Sequence, residues 1–343
     1  MCLLTDSAMK NAPDCRRFTC APSSIGSPAP SDRGTETGLT TGRVLGALGL
    51  AAAGFLVLRA AERNRLQPQK QADRSRRADA AIQMGRASSL LAGSVFADSA
   101  MEHLRGGYHR RAMYVAPAMA GATLAASTSS RARLSRRNAD LRDGIYLAGI
   151  ATGLTGLGFH LWNISKRPGG ATRMNNFFYA APIGAPGALV ASGLYGLAAG
   201  RLVRAPQMTS RQEGRLVGSM TALNILATSA EAGLLHFRSA FQNPVMFLPV
   251  IAPPAAAVAL AAAVARPGRQ MIKIARAACG TTVATGLAGA AFHVWGVHRM
   301  HGGWHNWRQN LLAGPPIAAP PSFAGLGLAG LGALDLLEME AQP

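Results

Sequence analysis

TGLTGLGFHLW, residues 152–162, returns as TGLAGAAFHVW at residues 285–295. Seven of the eleven positions are identical, at an offset of 133. Working outward at the same offset, His103 pairs with His236, Asp98 with Glu231, Arg105 with Arg238, Met113 with Met246 and Tyr114 with Phe247. Further on, Gly169 and Gly170 pair with Gly302 and Gly303, and Pro182 pairs with Pro315 without a gap. Agreement over such a length at one offset predicts a tandem duplication. Both copies of the quoted stretch lie in apolar runs of the length a helix needs to cross a bilayer.

Apolar residues make up 49% of the 343, and charged residues only 15%. The low charge disfavours disorder despite 39 Gly and 20 Pro, and the clumping of that charge disfavours one soluble domain. Nine spans are expected: 43–60, 84–102, 112–129, 144–163, 177–200, 216–236, 245–265, 274–296 and 310–335. The fold expected is all-α, a polytopic helical bundle integral to a membrane. Residues 1–42 read as a disordered polar tail, 43–80 as an N-terminal span with a basic cytoplasmic loop, 81–210 as a first four-helix repeat and 211–343 as a second. An even number of spans per unit keeps the units parallel, about a pseudo-twofold axis along the membrane normal.

The net charge of +19 invites a nucleic-acid reading, but the basic residues fall in the connectors. Alternate connectors hold 20 Lys and Arg against 9. The richer set is expected in the cytoplasm of a bacterial-type inner membrane, with the C-terminus inside and the N-terminus outside. The expected partner is the lipid bilayer, with no nucleic acid. Cys2, Cys15, Cys20 and Cys279 form no CxxC pair. No cleavable signal peptide is expected at the start, and no P-loop, HExxH or GxSxG motif occurs.

All eight histidines fall at the outer ends of spans or in outer connectors. His103, His160, His236 and His293 are the duplicated set and the candidate cofactor ligands. Gly153, Gly156 and His160 share one helix face, as do Gly286, Gly289 and His293. Such a glycine face admits another backbone or a flat ligand. This pattern resembles the glycine-and-histidine helices of membrane b-type cytochromes, over these helices alone. The resemblance implies haem b, with the glycines making room for the porphyrin edge; a bound transition metal is the other cofactor expected. The plainer alternative is a histidine capping the last helical turn. His298, His301 and His305, spaced three and four apart, are the candidate metal ligands.

Asp98 and Glu231 are acids inside spans, and such residues are functional candidates by default. Arg105 and Arg238 are their expected ion-pair or proton partners. Prolines in the outer halves of the spans leave backbone carbonyls that need water, a neighbour or a ligand. An outward-facing polar site is therefore expected, in one of three versions. It is a haem- or metal-binding redox site, a site for proton-coupled transport of a small solute, or a purely structural and assembly feature.

Overall fold

The computed structural model describes residues 38–128, 136–180, 182–204 and 209–338, without side chains for 38–70 and Arg136. The tail expected at 1–42 lies almost wholly outside them, as does the side taken by the N-terminus. Among the described residues the chain is all-helical. It divides into two units between Asn64 and Arg65, and every side-chain contact described below lies in the second.

The helices are α1 Gly38–Arg105, α2 Val115–Thr128, α3 Arg136–Ser165, α4 Met174–Phe178, α5 Gly184–Arg204, α6 Ser210–Arg238, α7 Leu248–Ala265, α8 Arg269–His298, α9 Trp307–Ala313 and α10 Pro321–Glu338. Three stretches, Arg137–Ser165, Pro244–Ala265 and Arg269–His298, are long and apolar enough to cross a membrane. The first of the expected connectors is not one. Residues 59–77 are helical within α1, because Ala, Arg, Glu and Gln dominate there and Pro68 is the only strong breaker. Two expected spans are interrupted. The stretch 177–200 breaks between α4 and α5, and 310–335 breaks between α9 and α10. The prolines of these stretches lie in or beside the breaks, where a missing N–H does least harm.

Element boundaries recur at the offset of 133. The ends of α1 and α6, the 3-10 turns Arg111–Tyr114 and Pro244–Phe247, both ends of α3 and α8, and the starts of α4 and α9 all coincide. Local conformations recur with them. Gly169 and Gly170 have φ of 83° and 58°, and Gly302 and Gly303 have 75° and 51°. Tyr108 stacks on Tyr114 at 4.3 Å, and Phe241 on Phe247 at 4.4 Å. The gapless match of Pro182 with Pro315 needs correction. Asn176 donates through Nδ2 to Pro168 O and Gly170 O, and Asn310 does the same to His301 O and Gly303 O. The acceptors differ by 133 but the donors by 134. By these contacts the offset becomes 134 from Asn310 on, and Pro182 corresponds to Pro316 and Pro186 to Pro320.

Packing follows the shifted register. A Cβ at Gly193 would meet Tyr146 O and Ile150, and one at Gly327 would meet Cys279 O and Val283. α3 therefore lies tight against α5, and α8 against α10, through glycine. At the helix ends away from the histidines Asp143 pairs with Arg204 at 2.5 Å, while Arg276 pairs with Asp335 at 2.7 Å and with Glu338 at 2.9 Å. Arg276 and Glu338 are the same two positions as Asp143 and Arg204, with their charges exchanged. The largest core cluster joins α1, α5, α6, α7, α8 and α10 through Met84, Tyr195, Ile225, Leu260, Cys279 and Leu334.

Candidate functional site at the outer helix breaks

Each of the four duplicated histidines donates through Nδ1 to a backbone carbonyl. His103 meets Met113 O at 2.5 Å, His160 meets Pro182 O at 2.7 Å, His236 meets Met246 O at 2.8 Å and His293 meets Pro316 O at 2.7 Å. A carbonyl only accepts, so each Nδ1 carries a proton. Three of these carbonyls have a common reason to need a donor. Pro117, Pro186 and Pro320 stand four residues after Met113, Pro182 and Pro316. A proline there cannot supply the helical N–H, and the imidazole takes its place. Val250, four residues after Met246, keeps its N–H, so His236 repeats the geometry without that cause. Sequence reading placed the histidines and the prolines in one region but missed that each answers the other. The missing signal was the i+4 spacing of carbonyl and proline.

The glycine faces are already filled. A Cβ at Gly153 would lie 2.7 Å from Pro186 O, and one at Gly286 would lie 2.9 Å from Pro320 O. Gly156 faces the Pro186 ring and Gly289 the Pro320 ring. The room that the cytochrome resemblance assigned to a porphyrin edge holds the first turn of α5 and the start of α10 instead. This corrects the haem expectation on its steric premise.

The acids lie five residues before His103 and His236, on α1 and α6. Glu231 on α6 accepts through Oε1 from Gly184 N at 2.9 Å, at the start of α5. A carboxylate suits the positive end of a helix, and Gly184 has no side chain to block it: a Cβ there would collide with the carboxylate. Asp98 receives no hydrogen bond from a described residue, but it feels the charges of Glu102, Glu231 and Arg105. The arginines do not pair with the expected acids. Arg105 pairs with Glu102 on its own helix. Arg238 lies over the rings of Phe178 and Tyr179, at 5.8 and 5.9 Å.

The loop histidines are not brought together. α8 ends at His298, His301 lies in the following turn, and His305 lies in the 3-10 turn Gly303–Asn306. The positive φ of Gly302 and Gly303 breaks the helical face that the spacing requires. Among the described residues no three His, Cys, Asp or Glu side chains group as they would around a metal ion. The nearest approach is His236 to His293, with ring centroids 6.5 Å apart. No family model, curated protein or solved structure matches this chain.

Proposed function

We propose that this chain is a multi-pass transporter of a bacterial-type inner membrane, moving a small solute coupled to protons carried by Asp98 and Glu231. Its core is eight spans in a 4+4 parallel tandem repeat, with the C-terminus in the cytoplasm. The coincident boundaries, the shared loop geometry and the charge-exchanged ion pair support the duplication. The observation that carries the function is the pair of matched helix breaks, α4–α5 and α9–α10. Interrupted helices at corresponding places in two halves are where transporters hold substrate and coupling ion. Glu231 supports the same reading, because an acid of the second repeat caps a broken helix of the first.

Proteoliposomes loaded with a pH-sensitive dye test the reading. A panel of sugars, amino acids, amines and organic acids is added outside. Wild type should acidify the lumen with at least one solute class. Glu231→Gln should lose that flux by more than about tenfold, the scale of a lost charged contact, while Glu213→Gln keeps it. Flux in wild type that ignores every solute, or equal flux in Glu231→Gln, rejects the proposal.

A metal-holding reading has one contact in its favour, the 6.5 Å approach of His236 and His293 with both Nδ1 atoms committed to carbonyls. Ligating histidines commonly fix their second nitrogen in this way. The absorbance spectrum and metal content of purified protein decide it: a colourless, metal-free preparation ends the reading.

A further inference from the structure

Among the described residues Arg142 is the one charged residue that is buried. It lies on α3 with 8% of its surface exposed, and its Nε and Nη1 are enclosed without a hydrogen-bond partner. Among the described residues no carboxylate lies within ion-pair distance of it. Arginine is almost never buried this far unless it is paired, because a guanidinium taken out of water needs an opposite charge.

Ala139, Tyr146 and Gly149 share its helix face and are buried with it. Tyr146 packs with Ala126 of α2 and Leu197 of α5. Arg142 therefore lies on the α3 face turned towards α2 and α5, one turn nearer the end away from the histidines. The neighbouring acids do not serve it. Asp140 is exposed. Asp143 gives Oδ2 to Arg204, and its Oδ1 is itself enclosed without a partner. The duplication isolates the residue further. At the offset of 133 its counterpart is Ala275, wholly buried. The second repeat fills the same place with a methyl group, so packing of these helices does not require a charge there. Arg131, Arg133, Arg136 and Arg137 precede Arg142 in the chain, and such a basic run gathers anions.

We propose that Arg142 is the binding point for a phosphate group at this end of the first repeat, carried by an anionic phospholipid headgroup or by free inorganic phosphate. The guanidinium is planar and offers several N–H donors, which suits the oxygens of phosphate, and the pair is strengthened by charge. Basic places between membrane helices, on the side rich in Lys and Arg, are where anionic headgroups settle. The phosphate supplies the counter-charge and the acceptors that Nε and Nη1 lack, and it enters past the part of Arg142 that is still exposed. The site is independent of the solute and proton chemistry at the opposite helix ends.

The test is thermal unfolding of the full chain in dodecyl maltoside, a detergent without phosphate. The protein is delipidated until phosphorus analysis reads none. Inorganic phosphate and, separately, phosphatidylglycerol are titrated in at constant ionic strength, with sodium chloride and uncharged diacylglycerol as controls. The Tm of wild type should rise saturably with a phosphate source and not with the controls. A rise with phosphatidylglycerol alone assigns the site to a lipid headgroup, and a rise with inorganic phosphate assigns it to the free ion. Arg142→Gln should weaken the apparent affinity by about tenfold or more, the scale of a lost charge-assisted contact. Arg142→Ala copies Ala275 and removes an uncompensated buried charge. It should unfold at a higher Tm than wild type without phosphate, and it should respond to neither source. Arg137→Gln, at an exposed position of the same helix, should respond like wild type. No rise in wild type with either source, or the same rise in Arg142→Gln, overturns the site. A lower Tm for Arg142→Ala without phosphate also overturns it, because the guanidinium would then be compensated within the protein.

Discussion

His293 and Pro320 compensate one another at Pro316 O, and that makes a prediction at the level of single residues. Removing the imidazole leaves Pro316 O with only the longer bond from Ala319 N at 3.3 Å, at a cost of about 0.5–1.5 kcal/mol. In a Pro320→Ala background the restored N–H can serve that carbonyl. His293→Ala should therefore cost less there than in wild type, and a double-mutant cycle read by unfolding in micelles checks it. Equal costs in both backgrounds would mean that the histidine serves something else. Glu213, beside Arg77 at 2.9 Å, offers a second test. Burial holds its carboxyl above its ordinary 4.5, although Arg77 pulls the other way. A raised folded value means that the native state holds the proton more tightly. Its favourable contribution is complete below pH 4.5 and is lost as pH rises through the raised value. Glu213→Gln should then be the more stable protein at neutral pH, with the difference closing on acidification; a difference that widens in acid contradicts this.

Helix pairs are held at both ends by different means. α3 and α5 close on glycine along their length and on Asp143 and Arg204 at the end away from the histidines; α8 and α10 use Arg276 and Glu338. Both ion pairs are partly exposed, so each contributes less than ~1 kcal/mol after screening. Reversing one charge is a different perturbation, because it sets like charges against each other. Asp143→Arg should lower the unfolding midpoint, and adding Arg204→Glu should recover it, reproducing in the first pair the polarity of the second. Failure of the double reversal to recover stability would make the exchanged pair accidental. The interrupted elements follow from local chemistry: Pro182, Pro186, Pro315, Pro316, Pro320 and Pro321 make a continuous helix impossible there.

Across the whole molecule the prediction is one of sidedness. With the seven basic residues of 59–77 set aside as part of α1, 13 Lys and Arg against 9 predict that residues 135 and 205 read cytoplasmic and Gly170 external. Reporter fusions at these three points check it, and a cytoplasmic reading at Gly170 rejects the eight-span arrangement. The helix ends agree with the basic count. The four duplicated histidines, both acid positions and every tryptophan lie towards one set of ends, while Asp143–Arg204 and Arg276–Glu338 lie at the other. Tryptophan at a membrane boundary is an expected anchor.

The sequence by itself determined the helical class and apolar stretches long enough to cross a membrane, and it predicts a duplication. Apolar length, charge clumping and identities at a fixed offset are local properties that need no knowledge of contacts. It also marked His103, His160, His236, His293, Asp98 and Glu231, because ionisable groups are rare in apolar runs. It misjudged the register by one residue after Gly303, since Pro315 and Pro316 match Pro182 equally well by letter. It read residues 59–77 as a connector from charge alone, although helix propensity there is high. Partnership was decided only in three dimensions. Which carbonyl needs a donor depends on where the backbone breaks, and which side chain supplies it depends on the neighbouring helix. So His160 and His293 meet the Pro182 and Pro316 carbonyls, Glu231 caps α5, and Arg238 lies over aromatic rings, though spacing alone had matched each of them differently.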